Sequence, residues 1–175
     1  MGLVTAAFGL VGGVSAQAAI WTDSAGQWVH VDPHAGRQMP YFNWIDEDAT
    51  LQAQAGTAAS VWDAGTILAL PATGDFSYAK LRLFDGHYGY TGWAGLAHAH
   101  AHAPDGYAEF NLTYAATGTA AYKAGLVCHE VGHLLGLAHE GPPSCMAIGY
   151  DPAAGSFPTQ TNFDEVNWWY TASGH

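Results

Sequence analysis

Apolar positions recur at two different periods along the chain, and the switches between them mark its elements. "MPYFNWI" (39–45) is a short apolar run bounded by turn residues and reads as a strand. Leu51, Ala55, Ala58, Ala59 and Trp62 then fall at helical spacing over 49–65. Asp46, Asp48 and Thr50 supply N-cap chemistry before that run, and Gly65 closes it. "TILAL" (66–70) and "YAKLRLF" (78–84) read as strands. In the second, Leu81 and Leu83 alternate with Lys80 and Arg82, which predicts one buried face and one wet face. A Gly- and Tyr-rich loop (85–95) follows. "LAHAHAHAP" (96–104) alternates strictly as far as Pro104, and "YAEFNLTY" (107–114) is a further strand. The helical period returns over 119–136 and over 162–172, the latter capped by Thr161 or Asn162. Strand, helix, several strands, helix, loop and helix define an α+β fold with a mixed, twisted sheet. No repeat or second domain is visible, so residues 20–175 read as one domain.

Composition narrows the class. The chain has 175 residues, of which 49% are hydrophobic and only 11% charged, which is globular and not disordered. The net charge of −11 leaves Arg37, Lys80, Arg82 and Lys123 as its only strong cations. That excludes a basic surface for nucleic acid and fits a self-repelling monomer. Residues 3–14 are small and apolar, and "AQA" at 16–18 is similar to a signal-peptidase site, although no Lys or Arg precedes the run. Residues 1–19 therefore read as a signal peptide lacking its positive start. The implied location is extracellular, with no membrane anchor. In that setting Cys128 and Cys145 read as a disulfide in preference to two buried thiols.

The densest chemistry lies in "CHEVGHLLGLAHEGPPSCMAIGY" (128–150). His129 and His133 are one helical turn apart and share a face. Val127, Val131, Leu134 and Leu135 fall on the opposite side and predict a buried back. Gly136 can adopt positive φ, end the helix and let His139 return to the same point. Three neutral imidazoles with one open position suit a catalytic Zn²⁺. Glu130, beside His129, is placed to act as a general base and not as a ligand.

The order His129-Glu130-x-x-His133-x-x-Gly136-x-x-His139, followed by Met146, resembles the metzincin signature with its Met-turn. The cleft elements are most similar to those of the matrixins. The resemblance implies a secreted zinc endopeptidase acting on peptides or proteins. In it Met146 floors the metal site and Tyr150 walls the S1′ pocket. "AGLAHAHAHAP" (94–104) resembles the edge strand that receives substrate, with Ala97 and Ala99 on it. "NFDEVNWWY" (162–170) resembles the C-terminal helix. Ile148 stands where astacins and serralysins carry a tyrosine, which counts against those branches. The chain lacks a cysteine before Tyr41, so latency through a propeptide cysteine is not expected.

His98, His100 and His102 share one face if the alternation is a strand. They read first as a solvent-facing row. A second metal site, Zn²⁺ or Ca²⁺, is the alternative, built on His98 with His87, Asp85 or Glu109. Asp85, Asp105 and Asp151 are further candidates for calcium. Two rival functions remain at this level: a zinc-containing module that binds peptide or protein without cleaving it, and a metal-dependent amidase for a small substrate. Glu130 favours catalysis, because binding a metal does not require it.

Overall fold

The computed structural model describes residues 20–147 and 157–174. The strands are β1 (Tyr41–Trp44), β2 (Leu81–Gly86), β3 (Gly95–His98) and β4 (Gly106–Asn111). The helices are α1 (Ala49–Gly65), α2 (Leu112–Ala115), α3 (Ala120–Leu134) and α4 (Gln160–Ala172). The sheet order is β1-β2-β4-β3. β1, β2 and β4 run parallel, and β3 runs antiparallel to β4 at one edge, with Ala97 opposite Ala108. The fold is α+β with a small mixed sheet.

Asp48 caps α1, accepting from the Leu51 amide at 2.8 Å. The five positions at helical spacing, Leu51 to Trp62, are the buried face of this helix. α1 packs along α3, and both lie over the sheet. Leu81, Leu83, Ala108 and Phe110 from the sheet meet Leu126, Val127, Val131 and Leu134 from α3 in one core. Each large aliphatic or aromatic side chain fully buried there contributes roughly 1.5–3 kcal/mol. On β2, Leu81 and Leu83 are buried, while Arg82 turns outward to hold Asp105 through two hydrogen bonds.

Four sequence readings change. Residues 66–70 are not a strand but a single bridge, in which Ala69 exchanges hydrogen bonds with Arg37 and Met39. The amides that would extend a ladder go to side chains instead, Ile67 to Asn167 and Leu70 to Asp63. The strand at 96–104 stops at His98, where its ladder with β4 ends, and His102 further on takes φ +53, which breaks the alternation. The strand at 107–114 ends at Asn111, whose side chain accepts from the Thr113 amide and starts the one-turn α2. α4 begins two residues early: Thr159 is the cap, and Asn162 reaches back to it in a capping box.

Candidate metal centre

Thr119 caps α3 by accepting from the Tyr122 amide, and the helix carries His129 and His133 to its C-terminal turn. Val127, Val131, Leu134 and Leu135 are buried behind them, as the spacing predicts. Gly136 then adopts φ +97. Its carbonyl accepts from the Trp21 amide at 2.8 Å and from Trp28 Nε1 at 3.0 Å. A Cβ on Gly136 would lie 2.1 Å from Trp28 Nε1, so this glycine serves both the turn and the approach of the N-terminal arm. Trp28 carries no sequence signal that links it to the histidine motif, being far away in the chain.

The turn brings three imidazoles together. The Nε2 atoms of His129, His133 and His139 lie 3.0, 3.1 and 3.2 Å apart. Tetrahedral zinc with Zn–N of ~2.0–2.1 Å sets its nitrogens roughly 3.3 Å apart, close to these separations. The Nδ1 atoms of His129 and His133 each lie 2.7 Å from a carbonyl, of Cys145 and Leu137 respectively. A carbonyl can only accept, so each Nδ1 carries the proton and each Nε2 presents a lone pair. Burial lowers His129 to about 4 and His133 well below the ordinary histidine value, and it lowers His139 too. The neighbouring rings add to the shift at His129 and His133. Three neutral, converging imidazoles repel one another through their lone pairs, and a cation relieves this. The residues fit a metal ion.

Glu130 is buried, and its carboxylate packs on β3. A Cβ on Gly95 would lie 2.4 Å from its Oε1, so Gly95 makes room for it. Burial pushes Glu130 up to about 8, and a hydrogen bond from the Ala97 amide pulls it partly back. A carboxyl with that pKa can exchange a proton near neutrality.

Met146 is fully buried beneath α3. A Cβ on Gly132 would fall 2.3 Å from Met146 Sδ and 3.1 Å from the Trp62 ring, so the sulfur and the indole press on the helix between His129 and His133. Neither Gly132 nor Trp62 stands out as part of the site in the sequence. The Cys128–Cys145 disulfide is formed and ties the helix to the Met146 segment. A buried polar chain holds the same segment from the other side. Ser144 Oγ donates to Asn162 Oδ1 at 2.7 Å, and Asn162 Nδ2 donates to Glu140 Oε1 at 3.0 Å.

The remaining site readings separate. Ala97 lies on the edge strand against Glu130, and Ala99 lies just beyond its end. Tyr150, Asp151 and residues 1–19 lie outside the described residues. The second metal site expected at His87 and His98 is not assembled among the described residues. His87 Nε2 faces Glu47 at 3.7 Å, and His98 Nε2 pairs with Glu109 at 3.1 Å while its ring stacks on Tyr107. Asp85 is used up by the amides of Asp46, Glu47 and Asp48, and Asp105 by Arg82, so neither gathers a calcium set. Among the described residues, a second group of ligand atoms occurs elsewhere, at His30, Asp32 and His102.

Fold and site together define an α+β protein with a three-histidine cluster able to hold a metal. A chain of the solved structure "GM1 bound form of the ECX AB5 holotoxin" is similar to it, with a TM-score of 0.56 and 12% identity over 75% of this chain and 79% of that chain. At that identity the likeness concerns the fold alone. No family model matches the chain, and no curated protein matches it. No helix among the described residues is long and apolar enough to cross a membrane.

Proposed function

We propose that this protein is a secreted zinc-dependent endopeptidase of metzincin type, nearest to the matrixins. The observation that carries this reading is the convergence of three Nε2 atoms at 3.0–3.2 Å, with Glu130 one residue from the first ligand. His129, His133 and His139 would hold the ion. Zinc, when bound, lowers the pKa of a coordinated water towards ~7 and polarises a carbonyl. Glu130 would accept a proton at its carboxylate from the attacking water and pass it to the leaving amine. Its burial suits both halves of that task, and the Ala97 amide aims its carboxylate. A peptide substrate adds to the open side of β3 through main-chain hydrogen bonds, which places its scissile bond beside Glu130. The Cys128–Cys145 disulfide supports an extracellular setting. The protein acts on peptide or protein substrates as a monomer.

The test is hydrolysis of casein or gelatin by the full chain, with and without phenanthroline. Glu130→Gln keeps the bound zinc and loses activity by roughly 10³-fold, within the usual range for a general base. Activity that survives either treatment rejects the reading. Zinc binding without any cleavage by the native chain would instead support a non-catalytic binding module.

A further inference from the structure

The N-terminal arm (20–38) meets the segment after β3 through isolated bridges, Val29 with Ala101 and Val31 with Ala103. The Asp32 amide donates to the Ala103 carbonyl at 2.8 Å, and the Ala103 amide donates to the His30 carbonyl at 3.0 Å. This backbone contact brings three ligand-type side chains together. His30 Nε2 lies 3.0 Å from Asp32 Oδ1, and His102 Nδ1 lies 3.3 Å from the same oxygen. All three ligand atoms fall within 4.8 Å of one another.

His30 is the fixed member. It is fully buried, stacked at 3.5 Å on Trp28 and set edge-on to Tyr170. Its Nδ1 lies 3.2 Å from the Trp28 carbonyl. With Nδ1 against that carbonyl, Nε2 faces the Asp32 carboxylate, and the two atoms are close enough to share one ion. His102 reaches the cluster through a backbone φ of +53, an uncommon conformation for a residue other than glycine. The side chains of Asp32 and His102 are 29% and 64% exposed, so solvent has access to complete a coordination shell.

We propose that His30, Asp32 and His102 form a second zinc site, which clamps the N-terminal arm to the loop that continues the edge strand. Two imidazoles and one carboxylate suit zinc and disfavour calcium or magnesium, which take oxygen donors. The site is structural. It fixes the end of β3 by joining chain segments that are 70 residues apart. It replaces the second site that the alternating histidines suggested, using His102 and neither His87 nor His98.

The test counts zinc in the full chain after loading with zinc sulfate and gel filtration. The native protein retains two equivalents. His102→Asn retains one, since asparagine tolerates positive φ and the exposed position leaves the core intact. His102→Gly provides a second route with the same expectation. His139→Ala also loses one equivalent, but from the first cluster, so failure of the protease reading and failure of this site are distinguishable. Circular dichroism confirms that each variant is folded. An unchanged zinc count in both His102 variants, or a single equivalent in the native chain that His139→Ala removes, overturns the proposal.

Discussion

The two clusters, His129–His133–His139 and His30–Asp32–His102, use one local device on different supports. In both, a buried imidazole lies with Nδ1 against a main-chain carbonyl and presents Nε2. The first cluster stands on a capped helix, with a disulfide and a buried polar chain fixing the returning segment. The second stands on an arm and a loop joined by single bridges. The proposed catalytic role of the first cluster requires groups fixed to fractions of an ångström, and a helix with a packed floor meets that requirement. A clamp needs only to bring two segments within reach. The two regions also touch, because Trp28 stacks on His30 and donates to Gly136.

The largest effect is expected where the supporting helix is tied down. Lys123 on α3 is almost fully buried and pairs with Asp48, the cap of α1. Asp48→Ala removes the cap and leaves a buried ammonium with the Ala116 carbonyl but without its counter-charge, at a cost of about 4 kcal/mol. Burial works against the Asp48 charge, but Lys123 and the Leu51 amide outweigh it and hold its pKa below the usual carboxylate value. A carboxylate depressed in the folded state contributes stability that is present above its unfolded pKa and is lost as pH falls through the folded value. The gap between native and Asp48→Ala proteins in urea melts is therefore full at neutral pH and narrows below about pH 4. A gap independent of pH would show that the Asp48 charge contributes neither through Lys123 nor through the cap.

Gly136→Ala couples the two regions. Alanine at φ +97 costs about 1–2 kcal/mol, and displacing the Trp28 indole brings the total to about 3 kcal/mol. Both zinc equivalents should weaken together, because Trp28 supports His30 while Gly136 positions His139. Loss of one equivalent alone would show that the clusters are independent. Removing the disulfide acts on one region. It closes a loop between positions 17 residues apart, so Cys128→Ala with Cys145→Ala costs about 3 kcal/mol. The Cys145 carbonyl that orients His129 then loosens, so the first equivalent weakens and the second is retained. Equal loss of both in a zinc competition assay would contradict the separate supports.

What could be read in advance follows the same division. Every ligand of the first cluster lies within one helix and the turn after it, so spacing alone specifies the convergence. The helix back face and the α1 core face were equally legible, because a fixed period ties them to burial. Trp28, Gly132 and the Ser144–Asn162–Glu140 chain were not, since each depends on which distant segments meet. Strict alternation at 96–104 misled for a related reason. A period of two predicts a shared face only while the backbone stays extended, and the contact with the arm bends it at His102.

The smallest effect tests that last point. The three alternating histidines have three different surroundings. His98 pairs with Glu109 and stacks on Tyr107, His102 faces Asp32, and His100 is exposed with its Nδ1 3.0 Å from the neighbouring Ala101 carbonyl. A metal-binding row would make the three substitutions equivalent. Separate surroundings predict that His100→Ala changes stability by less than about 0.5 kcal/mol and leaves the zinc count unchanged. His98→Ala loses a half-buried pair and a ring contact, about 1 kcal/mol together, also without loss of zinc. Only His102 should remove an equivalent. A matched loss from all three would restore the row as a unit and dissolve the distinction between the clamp and its neighbours.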